Sequence, residues 1–83
     1  MKITLKLFAT LTDYLPAGAS GNLVDIEIDA TDSLGSVIER LHLPEKLVHL
    51  VLVNGNYIAP ADRATQALQE SDQLAIWPPI AGG

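Results

Sequence analysis

Gln73-Leu74-Ala75-Ile76-Trp77-Pro78-Pro79-Ile80-Ala81-Gly82-Gly83 joins a strand, a stiff stalk and an unobstructed end in eleven residues. Leu74 and Ile76 share one face of a period-2 segment and Ala75 and Trp77 share the other, so 73–77 reads as a strand. Pro78 and Pro79 lack the N–H that a sheet ladder needs, so the strand stops there and the chain leaves in an extended form. From Pro78 onward six residues remain, and at about 3.4 Å each they reach roughly 20 Å from the sheet. Neither Gly82 nor Gly83 carries a Cβ, so this end fits a narrow channel in another protein and offers only its main-chain carboxylate for reaction. A disordered tail is ordinarily polar, whereas this one carries Trp77, Ile80 and two prolines.

The rest of the chain supplies a sheet and a helix for that strand. Met1, Ile3, Leu5 and Leu7 alternate with Lys2, Thr4 and Lys6, and Val24, Ile26 and Ile28 alternate with Asp25, Glu27 and Asp29. These two strands, joined by a loop containing Pro16, Gly18 and Gly21, read as an antiparallel pair in which Lys2 and Lys6 share the solvent face with three acids. Asp32 is the expected N-cap of a helix carrying Leu34, Val37, Ile38 and Leu41 at i, i+3, i+4 and i+7, which Pro44 ends. His49–Val53 is a nearly continuous apolar strand, Asn54-Gly55 a hairpin turn, and Tyr57-Ile58 a brief returning strand. Residues 62–70 read as turns with a short helical piece anchored by Leu68. The order β-β-α-β-β-β implies an α+β domain with one helix across one sheet.

With 83 residues the chain holds one domain, over 1–77, followed by the tail 78–83. Hydrophobic residues make up 48% and charged residues 18%, a globular composition. The chain has no cysteine, which excludes a disulfide framework, a thiolate nucleophile and a Cys-type metal site. His42 and His49 are too few to hold a metal. The net charge of −5 argues against nucleic acid and for a basic partner. No stretch approaches a membrane span, so a cytoplasmic location is expected. Asp25, Glu27 and Asp29 read as a solvated strand face, and no catalytic triad or phosphate-binding loop is present; the chain reads as a co-substrate without catalytic apparatus.

Leu5-Lys6-Leu7-Phe8-Ala9, Val51-Leu52-Val53-Asn54-Gly55 and Ile76–Gly83 together resemble the ubiquitin-like sulfur carriers, the superfamily of the molybdopterin synthase small subunit and the thiazole sulfur carrier. The resemblance spans essentially the whole chain, and its specific part is Pro-Pro-x-x-Gly-Gly. It implies a β-grasp fold: a mixed sheet of about five strands, one main helix on one face, and an extended C-terminal tail. Relatives commonly have Asp-Gly-Asp before the last strand and Phe before Pro-Pro; this chain has Glu70-Ser71-Asp72 and Trp77.

The resemblance further implies that an adenylating, E1-like enzyme uses ATP to activate the Gly83 carboxylate. A sulfur donor protein then converts it to a thiocarboxylate. No cofactor is expected to reside on the chain. Molybdopterin formation, with the synthase large subunit as partner, is the leading destination; protein modification, thiazole formation and a non-covalent interaction module are the alternatives. In the β-grasp plan the first and last strands are neighbours, and period 2 puts Phe8 and Trp77 on the same solvent side. An exposed aromatic patch at the root of the tail is therefore expected, with Phe8, Trp77, Pro78, Pro79, Ile80, Ala81 and Gly82 as partner-binding residues and Gly83 as the reacting one.

Overall fold

In the computed structural model, which describes residues 1–79, strand β1 (Lys2–Leu7) buries Ile3, Leu5 and Leu7 and turns Lys2, Thr4 and Lys6 outward. It is followed by β2 (Leu23–Glu27), α1 (Leu34–Arg40), β3 (Leu50–Val53), β4 (Asn56–Tyr57) and β5 (Gln73–Trp77). Three short 3-10 turns, Ala9–Tyr14, Glu45–Leu47 and Pro60–Asp62, fill the connections. The strands form one mixed sheet in the order β2-β1-β5-β3-β4. β1 and β5 run parallel, and the other neighbours are antiparallel. This is the expected β-grasp architecture, with β5 in the centre.

One face of the sheet makes the core. Ile3, Leu5 and Leu7 from β1, Val51 and Val53 from β3, and Leu74 and Ile76 from β5 pack with Leu34 and Val37 of α1 and with Leu11, Leu43 and Leu68 from the connections. Each such side chain contributes roughly 1.5–3 kcal/mol of transfer free energy when fully buried. At seven residues α1 is too short to persist alone, so this packing holds it.

The start of α1 differs from the expected one. Ser33, rather than Asp32, is the N-cap: its Oγ accepts from the Ser36 N–H at 3.2 Å, and Ser36 Oγ accepts from the Ser33 N–H at 2.9 Å. Asp32 is committed elsewhere. Its carboxylate accepts from Arg40 Nη2 at 2.6 Å, Ser36 Oγ at 2.9 Å and the Asp29 N–H at 2.8 Å. These bonds, led by that from Arg40, hold its pKa at about 2, below the usual carboxylate range.

Two further helix N–H groups find main-chain acceptors outside the helix, Leu34 donating to Gln66 O at 2.8 Å and Gly35 to Arg63 O at 2.7 Å. The segment 63–66 thus lies so close to Gly35 that a Cβ there would stand 3.0 Å from Ala64 Cα. The poor helix former is the residue the packing requires.

The strand pairing also revises the expected charge pattern. Lys2 faces Glu27 across the β1–β2 ladder, but Lys6 faces Leu23, and Asp29 lies beyond the end of β2. Glu27 pairs instead with the Met1 ammonium group at 3.6 Å, and Asp25 accepts from Thr4 Oγ1 at 2.9 Å.

Candidate functional site

The sheet face opposite α1 is open, and its residues are set by period 2 and register. One row crosses all five strands: Leu23, Lys6, Ala75, Leu52 and Tyr57. Beside it, toward the C-terminal end of β5, Leu50 pairs with Trp77, and Phe8 lies just past the end of β1. On the other side of the row come Asp25, Thr4 and Gln73, then Glu27 and Lys2. The open face therefore divides into an apolar half at the root of the tail and a polar half away from it. Tyr57 is 58% exposed and Leu23 40%, the two exposed large hydrophobic residues among those described. They stand at opposite edges of the apolar row.

Phe8 and Trp77 do come together. Their ring centroids are 4.1 Å apart and the planes differ by 7°, a stacked pair. The Phe8 N–H donates to Ile76 O at 3.2 Å, which continues the β1–β5 ladder by one bond and fixes Phe8 against the end of β5. Stacking changes what the pair presents: each ring covers one face of the other, and both residues are half-buried instead of exposed as expected. The footing at the tail is one composite surface, made of two ring edges and their outer faces.

The strand ends where the prolines require. The last ladder bond runs from the His49 N–H to Trp77 O at 3.1 Å; Pro78 is half-buried and Pro79 exposed. Ile80, Ala81, Gly82 and Gly83, the remaining tail residues named from the sequence, lie outside the described residues. His42 and His49 are both exposed, at the end of α1 and before β3. Among the described residues no group of three or more His, Asp or Glu side chains converges on a common point, and no helix is long and apolar enough to cross a membrane.

Leu50, Leu52, Tyr57 and Leu23 were not among the residues picked out from sequence, yet they extend the apolar surface across the sheet. For β3 a signal was available. A strand apolar on both faces has one face for the core and another that something else must cover.

Comparison with known proteins matches the chain to one family and several structures. The model of the ThiS family matches residues 5–83. The crystal structure of SAMP1, small archaeal modifier protein 1, from Haloferax volcanii is similar at 26% identity with a TM-score of 0.71, covering 100% of both chains. A putative molybdopterin converting factor subunit 1 from Pyrococcus furiosus has a TM-score of 0.70 at 20% identity, with 95% of this chain and 98% of that one covered. A protein–protein complex of subunits 1 and 2 of the molybdopterin-converting factor from Helicobacter pylori contains a chain with a TM-score of 0.62 at 18% identity, both fully covered. The last two are likenesses of fold. No curated protein matches the chain.

Proposed function

The chain belongs to the ThiS family of ubiquitin-like sulfur carriers, and from that premise we propose that it carries sulfur on Gly83 for molybdenum- or tungsten-cofactor dithiolene formation. A carboxylate is a poor electrophile because its charge is delocalised and its oxygen leaves badly. Activation comes from an adenylating enzyme: a Gly83 carboxylate oxygen attacks the α-phosphorus of ATP, and pyrophosphate departs. The sulfur of a donor's persulfide then adds to the acyl carbon and AMP leaves. A second thiolate of the sulfur donor then attacks the donor-side sulfur of the acyl disulfide, which releases the thiocarboxylate and leaves a disulfide on the donor. The carrier contributes no acid, base or metal to these steps; its part is to bring one carboxylate into active sites on other proteins.

The observation that carries this reading is the family match running through residue 83, so that it includes the whole Pro-Pro-x-x-Gly-Gly tail as well as the β-grasp body. The open face supports it, because an apolar surface beside the stalk gives a partner a firm hold on the body while the tail is threaded. A stiffened stalk also loses less conformational entropy on insertion than a flexible one. The fold likeness to molybdopterin-converting factor subunit 1, seen elsewhere in complex with subunit 2, favours a synthase large subunit as the protein that takes the sulfur.

The test is intact-protein mass spectrometry after incubation with ATP, the adenylating enzyme of the same organism and a sulfide source. Replacement of one oxygen by sulfur at Gly83, followed by its loss on addition of the synthase large subunit with its sulfur-free precursor, is the expected result. A second reading, protein modification, is favoured by the full-length likeness to SAMP1. Under that reading the activated Gly83 acyl group appears on lysines of other proteins. Retention of an unmodified carboxylate under all these conditions would refute both.

A further inference from the structure

Lys6 occupies an unusual place on the open face. In its five-strand row it is flanked by Leu23 on β2 and Ala75 on β5, with Leu52 and Tyr57 beyond. Two residues further along the chain, about 7 Å away and just past the end of β1, Phe8 begins the aromatic footing of the tail. Among the described residues no carboxylate lies within ion-pairing distance of Lys6, and the nearby acids of β2 are engaged otherwise, Asp25 by Thr4 Oγ1 and Glu27 by the Met1 ammonium group. The apolar half of the face thus carries one cation and no compensating charge.

While the face is open, water solvates that ammonium group. Any protein that covers Phe8, Trp77, Leu50 and Leu52 closes over Lys6 as well, and an ammonium group buried without a partner is strongly unfavourable. A cover made only of apolar side chains is therefore disfavoured. One that offers an anion opposite Lys6 is selected. The chain as a whole carries a charge of −5, so its long-range field draws basic surfaces, and an acid placed among apolar groups is the local exception that registers the docked pose.

We propose that Lys6 pairs with a carboxylate that the adenylating enzyme presents inside an otherwise apolar docking surface for the open sheet face. This rests on the reading of Gly83 as that enzyme's substrate. The adenylating enzyme is the partner required whether the activated tail then takes sulfur or a lysine, so the contact is independent of the final acceptor. Lys6 is a specificity contact and takes no part in the chemistry at Gly83.

The test is ATP–pyrophosphate exchange by the adenylating enzyme of the same organism, measured against concentration of the full chain as wild type, Lys6→Arg, Lys6→Gln and Lys6→Glu. KM for the chain should rise several-fold for Lys6→Gln and roughly tenfold or more for Lys6→Glu, with kcat within twofold and Lys6→Arg close to wild type. The penalty should shrink as salt rises. Thermal melts followed by circular dichroism report folding, and if Lys6→Glu melts early, the Gln and Arg variants carry the comparison. An unchanged KM for Lys6→Gln and Lys6→Glu with an active wild type would overturn this contact alone; so would equal impairment of Lys6→Arg and Lys6→Gln. No exchange with the wild type would overturn the carrier reading and the contact together.

Discussion

Truncating Phe8 and Trp77 singly and together should reveal an energetic unit at the root of the tail. At 4.1 Å between centroids and 7° between planes, the rings shield one face each. That is on the order of 50 Å² apiece, or at most about 2.5 kcal/mol at 25 cal/mol per Å². Both residues are half-buried, and measured aromatic pairs couple at about 0.5–1.5 kcal/mol, so a coupling near 1 kcal/mol is expected. Each single Ala variant should lose about 2 kcal/mol, less than the 3–5 kcal/mol of a fully buried aromatic. A chain of this size has roughly 4–12 kcal/mol in total, so the variants remain folded. Trp77 is the sole tryptophan; its emission is absent from half of the cycle, and urea unfolding should be followed by far-UV circular dichroism for all four proteins. Additivity within about 0.3–0.5 kcal/mol would mean that the rings meet only because the sheet sets them side by side, and would refute the stack as a stabilising unit.

His42 and Ser71 adopt left-handed backbone conformations, φ +59° and +70°, that glycine tolerates better. His42→Gly and Ser71→Gly should each gain roughly 0.5–1 kcal/mol, seen as a rise of a few degrees in Tm. Gly35→Ala should destabilise by about 1–3 kcal/mol in denaturant melts, because its Cβ would press on Ala64 Cα and Arg63 O, outweighing the gain in helix propensity. Asp32 has its pKa lowered from 3.8 to about 2, so its stabilising effect is fully present above about pH 4 and disappears as pH falls through about 2. The stability difference between wild type and Asp32→Asn, followed by acid titration of circular dichroism, should therefore narrow over that window; a constant difference would refute the assignment.

Alternation made most of the sheet readable: β1 and β5 each bury a clean apolar face, β2 packs Val24 and Ile26 partly buried against the core, and Asn54-Gly55 sits at the β3–β4 turn with φ of +52° and +82°. What alternation leaves open is register. Lys6 was expected among acids, but a hairpin with a fifteen-residue connection between β1 and β2 has no tight turn to fix its offset, and Leu23 ends up opposite. The helix start was ambiguous for a similar reason, since Asp32 and Ser33 are both good caps; Arg40, eight residues on, decides it by taking Asp32. The turn at Ala9–Tyr14 was missed because Thr and Asp are indifferent helix formers; burial of Leu11, packing of Tyr14 against the core and local hydrogen bonds hold it. Phe8 and Trp77 were legible as neighbours because two strands independently put them on one side. Their mutual covering was not, since stacking depends on ring orientation, which period 2 does not encode. The two-sided apolar character of β3 signals a second covered face, but alternation cannot say that Leu50 and Leu52, and not Val51 and Val53, stand on it.

β5 lies between β1 and β3, hydrogen-bonded on both sides, and it is the strand from which the tail departs. A pull along the tail is therefore a shear on two ladders at once, with many hydrogen bonds resisting together, and never the peeling of an edge one bond at a time. If a partner holds the tail while the body is drawn away, both ladders resist together. On the function proposed above, a carrier so built would leave one active site and enter the next with its fold intact, and the place of one strand in the sheet would be what makes it reusable.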